Sequence, residues 1–222
     1  MFRIKFCGIT SVADVAAAAA AGADAVGLNF YEKSPRSVDL DTARLISDAV
    51  PSGILRIGVF VNAGVDVVRH TSDAIGLDAV QLHGDEPAAF IGRLNGLRVI
   101  RAFRARDPDL SSVRTYLEQC RQLDCLPDAV LVDAYQPGQY GGTGHVANWQ
   151  ALVEHRDALA GLPLLLAGGL TAENVAQAIS LARPDGVDTA SGVESDVARK
   201  DPEKMRQFVS EAQLAWATNP AK

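Results

Sequence analysis

Short apolar, β-branched runs alternate with longer segments whose apolar residues recur three and four positions apart. The first pattern is typical of buried strands and the second of helices packed on one face. The alternation predicts eight strands, at 3–7, 25–29, 55–61, 79–82, 98–103, 129–133, 164–167 and 186–189.

Helical segments fill the intervals between these strands, and some have recognisable ends. The first is predicted over 11–21, with Ser11 and Asp14 as a variant of the capping box and Gly22 as the stop. The remaining helices are predicted after Asp39, Asn62, Glu86, Pro108 and Asn148, from Thr171, and from Asp201 with Pro202 in the first turn.

Strands separated by helices must run parallel, because only a crossover brings the chain back to the same edge of the sheet. Eight units divide the 222 residues into about 28 residues each, which suits a strand, a turn and a helix. We therefore expect α/β class, with residues 1–222 forming a single (β/α)8 TIM barrel domain. A doubly wound open sheet is the alternative, but the segment 141–144 is too short for a dinucleotide-binding glycine motif.

Composition restricts the partners of this domain. The chain is 48% hydrophobic and 22% charged, with a formal net charge of −6, which argues against nucleic acid and anionic membranes as partners. The alanine-rich run at 16–21 is too short to span a bilayer, and strand-like residues from Phe2 leave no room for a cleavable signal sequence. The three cysteines follow no disulfide or zinc spacing, so we expect reduced thiols and a cytoplasmic protein.

The first strand ends on a cysteine before a glycine turn. Period-two alternation puts Phe2, Ile4 and Phe6 on the side facing the helices and Lys5 and Cys7 on the inner side. Cys7 could be one more small buried hydrophobe, the usual fate of a free cysteine. Its place at the carboxyl end of a strand, where barrels carry their chemistry, favours a functional thiol.

Glycines follow the seventh and eighth strands. Gly168 and Gly169 end one, and Ser191 and Gly192 come shortly after the other. Residues without a Cβ let backbone N–H groups approach an anion, and barrels commonly hold phosphate at these two loops. The pair of loops therefore predicts a phosphate site, although Gly168 and Gly169 alone could form only a tight turn.

Polar residues mark most of the other strand ends. Asp133 could cap a turn, or its carboxyl could stay protonated through desolvation and donate a proton. The glycine-rich segment 136–144 after it could be a lid or a plain connector. The polar ring predicted at this mouth of the barrel also contains Asn29, Asn62, Gln81, His83, Arg101 and Asp188.

Two of these residues, His83 and Asp188, could each have more than one role, and so could Arg36 in the loop after the second strand. His83 should point inward, either supporting a neighbouring group or contacting substrate. Asp188 could pair with Lys5 or steer Cys7, since the eighth strand neighbours the first in a closed barrel. Arg36 could be merely solvated, but its guanidinium suits a carboxylate and the preceding Pro35 stiffens the loop.

Taken together, these motifs resemble phosphoribosylanthranilate isomerase, a (β/α)8 family of tryptophan biosynthesis. The resemblance runs nearly the whole chain in order and rests on the segments 5–10, 34–36, 58–62, 81–84, Asp133 with 140–144, 167–170 and 191–194.

The resemblance implies an Amadori rearrangement of N-(5-phosphoribosyl)anthranilate, with the family's general base at Cys7 and its general acid at Asp133. It implies that Arg36 binds the anthranilate carboxylate and that the loops with Gly168, Gly169, Ser191 and Gly192 bind the phosphate. An ionised Cys7 and a neutral Asp133 would need pKa shifts in opposite directions, and Lys5 would favour the thiolate. Proton transfers suffice, so no metal and no cofactor are expected.

Two other functions stay open at this point. The related aminoaldose isomerase of histidine synthesis uses two aspartates, so Cys7 argues against it. A non-catalytic phosphosugar-binding barrel would keep the glycine loops but would need neither Cys7 nor Asp133. No long apolar surface stretch demands a partner, so a monomer is expected, with a dimer as the alternative.

Overall fold

A closed barrel of eight parallel strands is the centre of the computed structural model, which describes residues 1–104, 109–133, 149–154 and 156–218. The strands pair in chain order, and the last returns to pair with the first. They are β1 (Ile4–Cys7), β2 (Ala25–Asn29), β3 (Leu55–Phe60), β4 (Ala79–Leu82), β5 (Val99–Arg104), β6 (Ala129–Asp133), β7 (Leu164–Ala167) and β8 (Gly186–Thr189). The eight predicted strands are confirmed, and the doubly wound alternative is wrong.

Helices follow the strands in the order that the hydrophobic pattern predicted. They are α1 (Val12–Ala21), α2 (Leu40–Ala49), α3 (Val65–Ile75), α4 (Ala88–Gly92), α5 (Ser111–Gln122), α6 (Trp149–Glu154), α7 (Val175–Ala182) and α8 (Pro202–Thr218). A small hairpin of β9 (Glu194–Asp196) and β10 (Arg199–Lys200) comes between β8 and α8. Within the described ranges, no helix combines the length and the apolarity needed to cross a membrane.

The helix ends test the predicted caps. Ser11 and Asp14 form the capping box of α1, and Gly22 ends that helix in the left-handed region with φ 94°. The start predicted at Thr171 is wrong: α7 begins at Val175, after a turn at 172–174 in which the Thr171 N–H donates to the Asn174 side chain at 2.9 Å. Pro108 and Asn148, expected just before α5 and α6, lie outside the described residues.

The strand register decides which side chains meet inside the barrel. Residues paired across parallel strands point to the same side. Lys5 pairs with Asp188 on β8, and Arg104 pairs with Asp133 on β6. Apolar side chains fill much of the remaining interior. This apolar interior contains Phe2, Ala25, Ile57, Ala79, Ile100, Ala102, Ala129, Leu131, Leu165 and Ala167.

Phe2 departs from its predicted side of the first strand. It packs in the barrel interior, whereas Ile4 and Phe6 belong to the cluster between barrel and helices. The reason is local: the N–H groups of both Arg3 and Ile4 donate to one oxygen of Asp24, at 3.0 and 2.8 Å. Successive N–H groups in an extended strand point in opposite directions, so the chain bends here and Phe2 leaves the strand's alternation.

Asp24 belongs to a set of four aspartates that brace the strands in pairs. Each directly precedes an even-numbered strand and accepts the N–H of the first or second residue of the strand before it. In the sequence each begins the triplet Asp-Ala-Val or Asp-Gly-Val, at 24–26, 78–80, 128–130 and 185–187. The four bonds run from Ile4 to Asp24, Arg56 to Asp78, Val99 to Asp128 and Leu164 to Asp185, at 2.7 to 2.8 Å.

We expect Asp24→Ala to lower the free energy of unfolding by about 1.5–3 kcal/mol, because two N–H groups lose a charged acceptor. Urea unfolding measures this as a lower midpoint at unchanged slope. Asp48→Ala is the matched control, since Asp48 begins the same triplet on the exposed face of α2; it should change stability by no more than about 0.5 kcal/mol. Equal losses in the two variants would contradict the bracing role.

Candidate active site

Cys7 and Asp133 lie at the carboxyl ends of two strands of the barrel. Cys7 closes β1 and Asp133 closes β6. Going around the closed barrel, only β7 and β8 separate these two strands on the shorter side. Both side chains are partly buried, so each is accessible from the mouth. A ligand bound over β7 and β8 would therefore have a thiol on one side and a carboxyl on the other.

A buried ion pair lies directly below Cys7. The Lys5 ammonium is fully buried. It contacts Asp188 at 2.9 Å and donates to the side-chain oxygen Oε1 of Gln81 at 3.1 Å. Burial alone would lower the pKa of Lys5, but the neighbouring Asp188 carboxylate outweighs this effect and raises that pKa, so Lys5 is charged. The predicted pairing of Asp188 with Lys5 is thereby confirmed.

The pKa of the Cys7 thiol differs from the lowered value expected for a general base. Burial raises the pKa of Cys7 above its ordinary value, and this exceeds the opposing effects of the nearby Lys5 and Lys200 cations. Asp188 adds to the rise. Lys5 does favour the thiolate, as expected, but its charge is shared with Asp188 and is too small to offset desolvation. The prediction of a lowered pKa is wrong for the protein without substrate.

His83 connects the ion pair to Asp133. It follows β4, and its Nδ1 lies 3.2 Å from the Gln81 amide nitrogen. Its other ring nitrogen, Nε2, lies 3.6 Å from the Asp133 carboxylate. His83 therefore points inward, as predicted, with Asp133 beside it. The sequence placed Gln81 in the polar ring without a role. An inward amide on an otherwise apolar strand could have indicated a hydrogen-bonding role for it.

Arg36 is held in place by a carboxylate of the protein itself. Its guanidinium binds Glu194 in the two-pronged geometry, with Nε and Nη2 at 2.7 and 2.6 Å from the two oxygens. Lys200, almost fully buried, donates to the same carboxylate at 2.7 Å. Burial would raise the pKa of Glu194, but these hydrogen bonds outweigh it and lower that pKa. Sequence reasoning missed Glu194 and Lys200 as partners of Arg36, because they lie in the hairpin after β8.

The glycine loops after β7 and β8 are in direct contact. Gly168 and Gly169 both adopt left-handed φ values, 96° and 63°, and a Cβ on Gly169 would meet no heavy atom within 4 Å. Ser191 and Gly192 form a short 3-10 turn after β8. A Cβ on Gly192 would collide with the Leu170 carbonyl, so glycine is required for the two loops to touch. The structure thus brings the two predicted loops together, with open space beside Gly169.

Arg101 does not belong to the inward ring in which it was predicted. Because Ile100 faces the interior, its neighbour on β5 must face the helices. The guanidinium of Arg101 contacts Glu86 at 3.2 Å, donates to the Gly84 carbonyl at 2.9 Å, and lies 4.9 Å from the centre of the Tyr116 ring. Arg101 therefore holds the loop after β4 against α5.

A cavity of about 330 Å³ opens beside His83, between the loops that follow β2 to β5. Tyr31, Asn62 and Phe103 contribute to its lining. The segment 136–144, predicted as a lid or connector, lies outside the described residues. Among the described residues, no cluster of three or more metal-ligating side chains occurs; the absence of a metal and a cofactor stays a prediction.

Comparison with known proteins identifies the family. The family model "N-(5'phosphoribosyl)anthranilate (PRA) isomerase" matches residues 4–211. The N-(5'-phosphoribosyl)anthranilate isomerase of Rubrobacter xylanophilus is 44% identical over 215 residues, covering 96% of this chain and 99% of the relative.

Two solved structures match equally broadly. The phosphoribosyl anthranilate isomerase of Thermotoga maritima superposes with a TM-score of 0.84 at 35% identity, covering 96% of this chain and 99% of the other. A second, in complex with reduced 1-(o-carboxyphenylamino)-1-deoxyribulose 5-phosphate, gives a TM-score of 0.81 at 33% identity with the same coverage. The chain belongs to the N-(5'-phosphoribosyl)anthranilate isomerase family and is an aldose–ketose isomerase of tryptophan biosynthesis.

Proposed function

We propose that Cys7 and Asp133 carry out this isomerisation, as general base and general acid. The substrate is N-(5-phosphoribosyl)anthranilate and the product 1-(2-carboxyphenylamino)-1-deoxyribulose 5-phosphate. The observation that carries the proposal is the order of the strands: β7 and β8, with their glycine loops, lie between β6 and β1. A phosphate over those loops would leave the sugar between Asp133 and Cys7.

The two roles follow from the bonds that must change. Asp133 donates a proton to the furanose ring oxygen as the bond from that oxygen to C1′ breaks, and the anthranilate nitrogen becomes part of a protonated imine. Cys7, as thiolate, then removes the proton from C2′, and the resulting enolamine tautomerises to the ketone. Neither step needs an oxidant or a metal. A positioned acid or base contributes about 10²–10⁴-fold to the rate of its step.

The substrate's two anionic ends are assigned to two separate positive features. The phosphate lies on the backbone of the loops with Gly168, Gly169, Ser191 and Gly192. The anthranilate carboxylate is bound by Arg36, supported by its position in the loop after β2 and by its fixed orientation on Glu194. Lys200 adds a second cation to that cluster, so Arg36, Lys200 and Glu194 together keep one positive charge for the substrate.

The remaining predictions become proposals of the same kind. We place the protein in the cytoplasm, supported by its three free cysteines. A monomer stays our proposal. The related isomerase of Thermotoga maritima is dimeric and has also been solved as monomers, so light scattering should measure the oligomeric state. The phosphosugar is the only small-molecule partner that we expect. We do not expect binding to nucleic acid or to membranes.

We expect Cys7→Ala and Asp133→Ala each to lower kcat by about 10²–10⁴-fold and to leave binding of the reduced product analogue nearly unchanged. The assay follows the loss of anthranilate-type fluorescence from phosphoribosylanthranilate, without added metal or cofactor. Cys120→Ala is the control, because Cys120 lies on the buried side of α5, outside the mouth. Full turnover by Cys7→Ala would show that this thiol is not the general base.

The raised pKa of Cys7 predicts that its reactivity increases well into the alkaline range. A raised pKa means less thiolate at neutral pH than an ordinary cysteine has, so alkylation by iodoacetamide should rise through and beyond pH 9. The rising limb of the kcat/KM profile should follow the same midpoint, because turnover increases as the general base ionises. Mass spectrometry locates the label, and Cys7→Ser is the control; alkylation that is already maximal at pH 8 would contradict the expectation.

We expect Arg36→Met to raise KM for phosphoribosylanthranilate by about 10–100-fold, because a charge-assisted contact worth about 1.5–3 kcal/mol is lost. The phosphoribosyl derivative of aniline, which lacks the carboxylate, should bind the variant and the wild type equally well. Inhibition constants measure this, with Arg44→Met on the exposed face of α2 as the control. An equal loss for both compounds would remove the carboxylate assignment.

A further inference from the structure

Lys5, Gln81, His83 and Asp133 form a chain of contacts across the mouth of the barrel. The successive distances are 3.1 Å from the Lys5 Nζ to the Gln81 Oε1, 3.2 Å from the Gln81 Nε2 to the His83 Nδ1, and 3.6 Å from the His83 Nε2 to the Asp133 Oδ2. Lys5 and Gln81 are buried, at 0% and 1% exposure, so water does not compete for their contacts. The order of the groups fixes the direction of each hydrogen bond.

The direction follows from what each group can donate. An ammonium has no acceptor, so only the carbonyl oxygen of Gln81 can face Lys5. The amide nitrogen of Gln81 must then face His83, and an amide nitrogen only donates. Nδ1 of His83 therefore accepts, and its ring proton resides on Nε2, the nitrogen that faces Asp133.

We propose that Gln81 is a positioning residue, which is held by Lys5 and keeps His83 as the Nε2–H tautomer for Asp133. The inference rests on the proposed acid role of Asp133. Once Asp133 has given its proton to the ring oxygen, it is a carboxylate, and the His83 Nε2–H donates to it. The other tautomer would present a lone pair to that carboxylate and repel it.

The present distance suits this role. At 3.6 Å the His83 and Asp133 atoms are slightly beyond hydrogen-bond length, and catalytic contacts are commonly long without substrate and shorten during the reaction. His83 and Asp133 are each about one-fifth exposed, at 21% and 23%, so their side chains have room for this small movement.

Histidine tautomers can be read from the two ring ¹⁵N shifts by NMR, without substrate. Wild type should show the Nε2–H form at His83, assigned by its loss in His83→Asn. Gln81→Met, which has the same length and no amide, should show a mixture of tautomers. It should lose about tenfold in kcat with KM within about twofold, the scale seen when a group that orients a histidine is removed. Gln119→Met, on the exposed face of α5, is the matched control and should change neither quantity.

Gln81→Glu keeps an acceptor for Lys5, so this variant preserves the buried contact and guards against simple unfolding. Its carboxylate can only accept, so Nδ1 should become protonated while kcat falls. An Nδ1–H tautomer in wild type, or an unchanged tautomer in Gln81→Met, would overturn the proposal. So would a changed tautomer with unchanged kcat. Failure of the acid role itself shows separately, as full turnover by Asp133→Ala.

Discussion

The charge of Lys5 is the constraint on which the site depends. An ammonium without contact to water needs a counter-ion and further acceptors, because an unpaired buried charge costs several kcal/mol. Asp188 and Gln81 meet that need from two other strands, β8 and β4. Satisfying Lys5 thus links the first and last strands of the barrel, orients the amide of Gln81, and places a cation beside Cys7.

Desolvation opposes this cation at Cys7. Burial raises the pKa of the thiol despite two neighbouring ammonium groups. Both cations are already paired with carboxylates, Lys5 with Asp188 and Lys200 with Glu194. The net charge of −6 is spread over the whole chain, whereas the site keeps its positive charges on rigid, partly buried groups.

Local patterns in the sequence predicted most of the fold. The strands and helices followed from hydrophobic period, and the box of Ser11 with Asp14 followed from capping chemistry. One departure occurred where a side chain competed with backbone regularity: Asp24 turns Phe2 away from its strand. The repeated Asp-Ala-Val triplet was readable in the sequence, but the same triplet at 48–50 lies at the end of a helix, so its meaning required the strand positions.

The sequence by itself determined the barrel, the strand ends that carry Cys7, His83, Asp133 and Asp188, and the glycine loops, because period and turn chemistry act over a few residues. Only the tertiary structure decided the partners. Lys5 meets Gln81 and Asp188 across separations of 76 and 183 residues, and Arg36 meets Glu194 across 158. Such contacts are set by barrel closure and register, and the pKa of Cys7 by burial that the whole barrel creates; no local pattern contains either.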